Sequence, residues 1–192
     1  MTFLQYKFWG VSKDCMSSTH SICCEIVATD QAESLFDGIS YGKGSAFLKQ
    51  FFNILGYETM SAGLHLYFAR HEWGNTTLPD FVKCLAEAYQ QKGDQSLGPN
   101  FDLTQWCDTW LKSSGVNTFE PVLEIENGQV RSLKIKQGMG QRGKNRLRLQ
   151  KLNVGLYEAG DASGAPIVIK DVVVGSNDEM TEVDISSLPG DF

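Results

Sequence analysis

The sequence predicts an α+β fold, in which helices come first and a small antiparallel β-sandwich follows. In the first part of the chain, apolar residues recur every three or four positions, which is the period of a helix with one buried face. Farther along, apolar and polar residues alternate, which is the period of a half-buried strand. The 192 residues are 42% hydrophobic and 21% charged, so the composition is that of a globular protein.

Residues 1–44 are expected to form irregular connections and short helices. Their apolar cluster would be exposed unless a partner covers it, and it consists of Phe3, Leu4, Tyr6, Phe8 and Trp9. A helix is predicted from Ser45, and Gly56 can end it in a left-handed conformation. A second helix is predicted from Thr59 to His71.

A third helix is predicted to begin near Thr77, a suitable N-cap with Asp80 three positions on, and to end before Gly93. A fourth begins at Asp102 and is ended by Gly115. Its aromatic residues, Trp106 and Trp110, are interpreted as core, since buried aromatic side chains far more often fill a core than bind a ligand.

The β part begins with a predicted hairpin around Asn127-Gly128, a pair of residues that favours a tight two-residue turn. Further strands are predicted at Leu147–Tyr157, Ile167–Val174 and Glu182–Ile185. The glycine-rich run Gly138–Gly143 is interpreted as a hairpin loop, because a phosphate-binding glycine loop would open a helix.

Charge and cysteine usage exclude several classes of partner. A net charge of -6 argues against a nucleic-acid partner, and the basic residues between 134 and 151 are expected on the solvent face of strands. No apolar run is long enough to span a membrane, and nothing in the N-terminal residues resembles a signal peptide, so a cytoplasmic protein is expected. The 5 cysteines form no C-x-x-C pair and are expected to be reduced, with Cys84 and Cys107 in the core.

One run, Phe36-Asp37-Gly38-Ile39-Ser40-Tyr41-Gly42-Lys43-Gly44, carries the strongest functional signal. It resembles the F-D-x-I-S-Y-x-K-G segment of the gluzincin zinc aminopeptidases, the family of alanyl and puromycin-sensitive aminopeptidases and leukotriene hydrolase. In that family the tyrosine hydroxyl hydrogen-bonds the oxyanion that forms when a zinc-bound water attacks the first peptide bond. The resemblance therefore implies that Tyr41 is the catalytic, oxyanion-stabilising residue.

The resemblance extends over nearly the whole chain. Its further segments, each similar to a family motif, are residues 15–22, 71–77, 106–118 and 146–157. It implies that residues 1–115 are the helical C-terminal end of a thermolysin-like catalytic domain. Residues 116–192 would then be the β-sandwich domain behind it.

The family's zinc ligands have no counterpart in this chain. The family motif is H-E-x-x-H with a distant glutamate, whereas the histidines here are His20, His65 and His71, and His71-Glu72 is followed by Asn75 where the second histidine would stand. The G-A-M-E-N segment that holds the substrate's amino group is missing as well. Zinc is thus the cofactor of the intact family, and this chain is expected to hold no stoichiometric zinc.

Three functional hypotheses follow from the residues and the resemblance. The first is a fragment of a zinc-dependent aminopeptidase that removes N-terminal residues from peptides, inactive by itself. The alternative is a non-catalytic protein-interaction module that uses the exposed aromatic N-terminal cluster. The third is a split enzyme, in which the missing catalytic portion docks on this chain and receives Tyr41.

Overall fold

The computed structural model describes residues 2–92, 97–98, 100–140, 146–157, 164–177 and 179–186. The chain forms two compact units that meet in the sequence between Gly115 and Val116. The first contains helices and the second contains antiparallel strands, which confirms the predicted α+β fold class. None of the helices in the described ranges is both long and apolar enough to span a bilayer.

Among its described residues, the helical unit contains a five-residue π turn in addition to its α-helices. In chain order the elements are α1 (Phe3–Asp14), α2 (Thr29–Ser34), the π turn (Ile39–Lys43), α3 (Gly44–His71), α4 (Leu78–Lys92) and α5 (Leu103–Leu111). Residues 1–44 were expected to form irregular connections and short helices, and α1 is a regular helix of 12 residues. A capping box explains its start: Thr2 N donates to Gln5 Oε1 and Gln5 N donates to Thr2 Oγ1.

Helix α3 bends at the glycine that the sequence marked as a helix end. Gly56 has φ 73° and ψ 167°, so two helical segments meet there without an intervening loop. The second segment of α3 packs closely on α4 at Gly63. A Cβ on Gly63 would lie only 2.4 Å from Leu85 Cδ2, so this position has no space for a larger side chain. Across the same pair of helices, Arg70 forms a two-point ion pair with Glu87, at 2.7 and 2.9 Å.

A carboxylate accepts hydrogen bonds at the start of each of the later helices, α4 and α5. Asp80 Oδ2 accepts hydrogen bonds from the backbone N and the hydroxyl of Thr77, just before α4. These hydrogen bonds lower the pKa of Asp80 below its ordinary value. Asp102 Oδ1 accepts from the N–H groups of Thr104 and Gln105 at the start of α5.

An aromatic cluster joins α3 to α5 in the core of the helical unit. The rings of Phe47 and Phe51 lie 5.4 and 5.6 Å from that of Trp106, which is the range of favourable ring contacts. Phe51 also meets Phe81 of α4 edge to face. The structural interpretation of Trp106 is thus confirmed, and Trp110 packs on both Trp106 and Phe47.

The cysteines differ sharply in accessibility, and this gives a first testable prediction. Cys15 and Cys23 are exposed, whereas Cys84 and Cys107 are buried. Burial raises the pKa of the Cys107 thiol to about 12, so almost none of it is the reactive thiolate at mildly alkaline pH. We expect an alkylating reagent to modify Cys15 and Cys23 in the native protein and to leave Cys107 unmodified until denaturant is added. Peptide mass mapping measures both, and native alkylation of Cys107 would contradict its burial.

In the part that the structure describes, the second unit contains two antiparallel sheets. Its strands are β1 (Asn117–Glu126), β2 (Gln129–Met139), β3 (Gln150–Leu156), β4 (Val168–Val174) and β5 (Met180–Glu182). One sheet has the order β1-β2-β5 and the other pairs β3 with β4. The predicted hairpin is confirmed, because Asn127 and Gly128 have φ values of 53° and 80° between β1 and β2. Apolar residues of both sheets share one cluster: Leu133, Ile135, Val172, Val174 and Val183.

The run Gly138–Gly143, interpreted as a hairpin loop, begins at the end of β2, and its residues 141–143 lie outside the described part of the chain. The expectation for Arg148 was wrong. Arg148 is buried, not solvent-facing. It precedes β3, so strand alternation does not apply to it, and its Nη1 donates to Asn117 Oδ1 at 2.8 Å while its backbone N donates to Gln137 Oε1.

Candidate functional site

Tyr41 lies in the π turn, which packs against α1 and leads directly into α3. Tyr41 N donates to Asp37 O, whereas Lys43 N and Gly44 N reach back five residues, to Gly38 O and Ile39 O. A π turn is uncommon and often lies at a functional site, because it rotates the side chains that follow relative to an α-helix. The predicted site residue thus lies on an irregular turn immediately before a long helix.

Asp37 fixes the start of this turn through its side chain. Its Oδ1 accepts hydrogen bonds from the backbone N–H groups of Ile39 at 2.9 Å and Ser40 at 3.1 Å. A carboxylate that accepts two N–H groups holds the local backbone firmly, because hydrogen bonds to an ionised acceptor are stronger than neutral ones. The backbone leading into Tyr41 is therefore held by its own sequence.

The side chain of Tyr41 faces solvent. It is 47% exposed, and its ring lies 5.9 Å from that of Phe36, which is exposed as well. The phenol therefore sits on an anchored backbone and much of its surface is accessible. Its hydroxyl group can donate a hydrogen bond to an external acceptor.

His20 lies close to the same turn. Its Nε2 is 3.2 Å from Asp37 Oδ2, and its Nδ1 is 2.8 Å from the backbone oxygen of Ser21. The sequence indicated no carboxylate near His20, because Asp37 is separated from it by 17 residues. His20 is therefore engaged by a carboxylate and a carbonyl in the structure.

A buried ion pair at the end of the turn was not foreseen. Lys43 appears in the motif, but nothing in the sequence paired it with Asp14, which lies in α1. The one available signal in the sequence was the position of Lys43, which stands between two glycines at the start of an apolar helix. A lysine at that position does not have to face solvent.

The side chains present do not fit a zinc site. Within the ranges that the structure describes, no three His, Cys, Asp or Glu side chains converge on a point where a metal ion could bind. His65 and His71 both lie on α3 and line a cavity of about 1030 Å³ together with Tyr57, Phe68 and Trp73. His71 packs its ring against Tyr67, at 5.5 Å between centroids.

The chain is similar in sequence to known aminopeptidases. The Peptidase family M1 domain matches residues 2–110. Aminopeptidase N of Streptomyces lividans is 32% identical over 185 residues, and the match covers 93% of this chain and 20% of that protein. Aminopeptidase 2 of Candida albicans is 30% identical over 64% of this chain and 12% of its own length. Glutamyl aminopeptidase of Bos taurus is 31% identical over 59% of this chain and 10% of its own length. The chain thus spans a fifth or less of each of these relatives.

Proposed function

We propose that this chain, which belongs to peptidase family M1, supplies the oxyanion-stabilising tyrosine of a zinc aminopeptidase whose metal ligands lie outside it. One observation carries the proposal: Tyr41 presents an exposed phenol on a turn whose backbone is anchored by Asp37. Peptides with a free N-terminus are the substrate class that the aminopeptidase relatives suggest.

The chemistry expected of Tyr41 is donation of one hydrogen bond. When a nucleophile attacks a peptide carbonyl, negative charge develops on the carbonyl oxygen, and a donor already aimed at that position stabilises the charge without reorganising. Tyr41 would donate its O–H to this oxygen. No other described residue of the chain is assigned to bond cleavage, so the isolated chain is proposed to be inactive.

Zinc belongs to the same proposal only as the cofactor of a complete enzyme. It would supply the activated water there, but the His, Cys, Asp and Glu residues described here do not converge to hold it. We propose residues 1–115 as the end of the catalytic domain and residues 116–192 as a β-sandwich domain.

A chimera tests the role of Tyr41. In it, this chain replaces the matching 185-residue region of the Streptomyces lividans aminopeptidase N, and cleavage of an aminoacyl reporter is measured. Tyr41→Phe in the chimera should lower kcat by about 100- to 1000-fold, which is the usual effect of removing one oxyanion donor. The fold should not change, because only the hydroxyl is lost.

Tyr57→Phe is the matched control, since Tyr57 is also exposed and lies in the same helical unit. It should leave kcat unchanged. Cleavage by the Tyr41→Phe chimera at the rate of the unmodified chimera would remove Tyr41 from the mechanism, provided that the unmodified chimera is active.

A second candidate function is a non-catalytic module that docks on the remainder of an M1 protein. The observation that favours it is an apolar stripe on α1, where Leu4, Phe8 and Val11 are all exposed at helical spacing. The relatives are at least five times as long as the region they share with this chain, so such a remainder exists in them. A chain that is monomeric by sedimentation and binds no hydrophobic dye would lose this support.

Localisation in the cytosol is also proposed. Its support is that all five cysteines are free thiols in the structure, as is usual where the surroundings are reducing. Fractionation of cells that make the protein would test it.

A further inference from the structure

A buried ion pair lies two residues after Tyr41. Lys43 Nζ is 2.9 Å from Asp14 Oδ2, and the two side chains are only 8% and 3% exposed. The same Nζ donates to the backbone oxygen of Ser113 at 3.0 Å. A charge removed from water is costly unless it is paired, so Lys43 cannot readily leave this position.

Asp14 extends the pair into a junction of several segments. Its Oδ1 accepts hydrogen bonds from Gly115 N at 2.7 Å and from Thr19 Oγ1 at 2.6 Å. One carboxylate therefore ties the end of α1, the loop that follows it and the segment after α5 to the π turn. Lys43 is held by this junction, not by a single flexible partner.

The backbone between Tyr41 and the ion pair has no room to shift toward α1. A Cβ on Gly42 would lie 2.3 Å from Tyr6 O and 2.7 Å from Gly10 N, so the turn and α1 touch backbone to backbone. A Cβ on Gly10 would lie 2.6 Å from Lys43 N. The end of the turn is therefore fixed on one side by close packing and on the other by the buried charge.

The Tyr41 side chain has no comparable anchor of its own. It is 47% exposed and its ring contacts the exposed ring of Phe36. The direction of the phenol is consequently set by the backbone of the π turn, whose start is held by Asp37 and whose end is held by Lys43.

We propose that Lys43 is a positioning residue for Tyr41, acting through its buried ion pair with Asp14. The pair fixes the end of the π turn, so that rotating the turn away from its present direction requires breaking the pair in the interior. Lys43 touches no substrate in this role. Any effect of Lys43 on catalysis rests on the proposed function of Tyr41. Its effect on the orientation of Tyr41 is independent of that function.

Fluorotyrosine placed at position 41 provides a direct readout by fluorine NMR. We would compare the parent chain, Lys43→Met and the double variant Asp14→Asn/Lys43→Met. The double variant removes both formal charges, and the amide oxygen that replaces the carboxylate can still accept from the N–H of Gly115. The control is Asp108→Asn/Lys112→Met, which removes an exposed ion pair of α5. Tryptophan fluorescence reports folding of the helical unit, since all 4 tryptophans lie in residues 1–115.

The parent should give one resonance that differs from the resonance of the urea-unfolded chain. In the folded double variant this resonance should move most of the way toward the unfolded position or split, whereas the control should leave it in place. A folded double variant with an unmoved resonance overturns the proposal. A double variant that fails to fold also overturns the proposal, because the ion pair would then be required for folding of the whole helical unit and not for the orientation of the turn. None of these outcomes depends on cleavage, so they are distinct from failure of the Tyr41→Phe chimera.

Discussion

Lys43→Met should lower the free energy of unfolding of the helical unit by about 3 to 5 kcal/mol. The reason is that the substitution keeps much of the side-chain volume but leaves the Asp14 carboxylate buried beside a thioether. Removing one partner of a buried ion pair costs far more than the pair itself contributes, because the remaining charge is not solvated. Urea unfolding followed by tryptophan fluorescence measures the change.

Lys112→Met provides the matched control. Lys112 pairs with Asp108 at 2.6 Å on the same unit, but both side chains are more than half exposed. Its loss should cost under about 1 kcal/mol, because water and salt screen an exposed pair. If Lys43→Met proved as mild as Lys112→Met, the pair could not be the buried anchor that the structure shows.

Phe51→Ala should destabilise the helical unit by about 3 to 5 kcal/mol, through lost apolar burial and the cavity that remains. Phe51 is completely buried and packs against Phe47, Phe81 and Trp106, so it joins three helices at once. Neighbouring rings cannot collapse into the space without leaving their own contacts. The same urea titration measures this loss, and the environment of Trp106 should change along with it.

The adjacent residue supplies the comparison for this substitution. Phe52 is 44% exposed, so Phe52→Ala should cost about 1 kcal/mol, since much of its surface is already in water. Equal losses for the two substitutions would mean that α3 is rotated relative to the structure.

Several elements were predictable because their signals are local. The spacing of Phe47, Phe51 and Leu55 is that of a helix whether or not its partners are known. Asn127-Gly128 favours one turn geometry through its own backbone, and Asp102 satisfies N–H groups only two and three residues away. The Tyr41 motif was recognisable for the same reason, since its letters are contiguous. The role of Tyr41 stays a proposal.

The contacts around the candidate site were beyond local reasoning. Asp14 and Gly115 are 101 residues apart, and Lys43 and Ser113 are 70 apart, yet all four meet at one junction. Arg148 was misplaced because alternation applies only inside a strand, and the residue lies just before one. The π turn was missed as well, since its geometry depends on how α1 packs against it.

The sequence by itself determined the class of fold, the placement of the helical part before the strand part, and the membership of Tyr41 in a recognisable motif. Periodicity and turn residues carry that information, because they record which face of each segment is buried. Only the tertiary structure showed that the charged side chains of Lys43 and Asp14 are buried and that they pair with each other. Their burial and pairing depend on how distant segments of the chain pack. Because an unpaired buried charge is very costly, this pairing has a large effect on the orientation of the π turn.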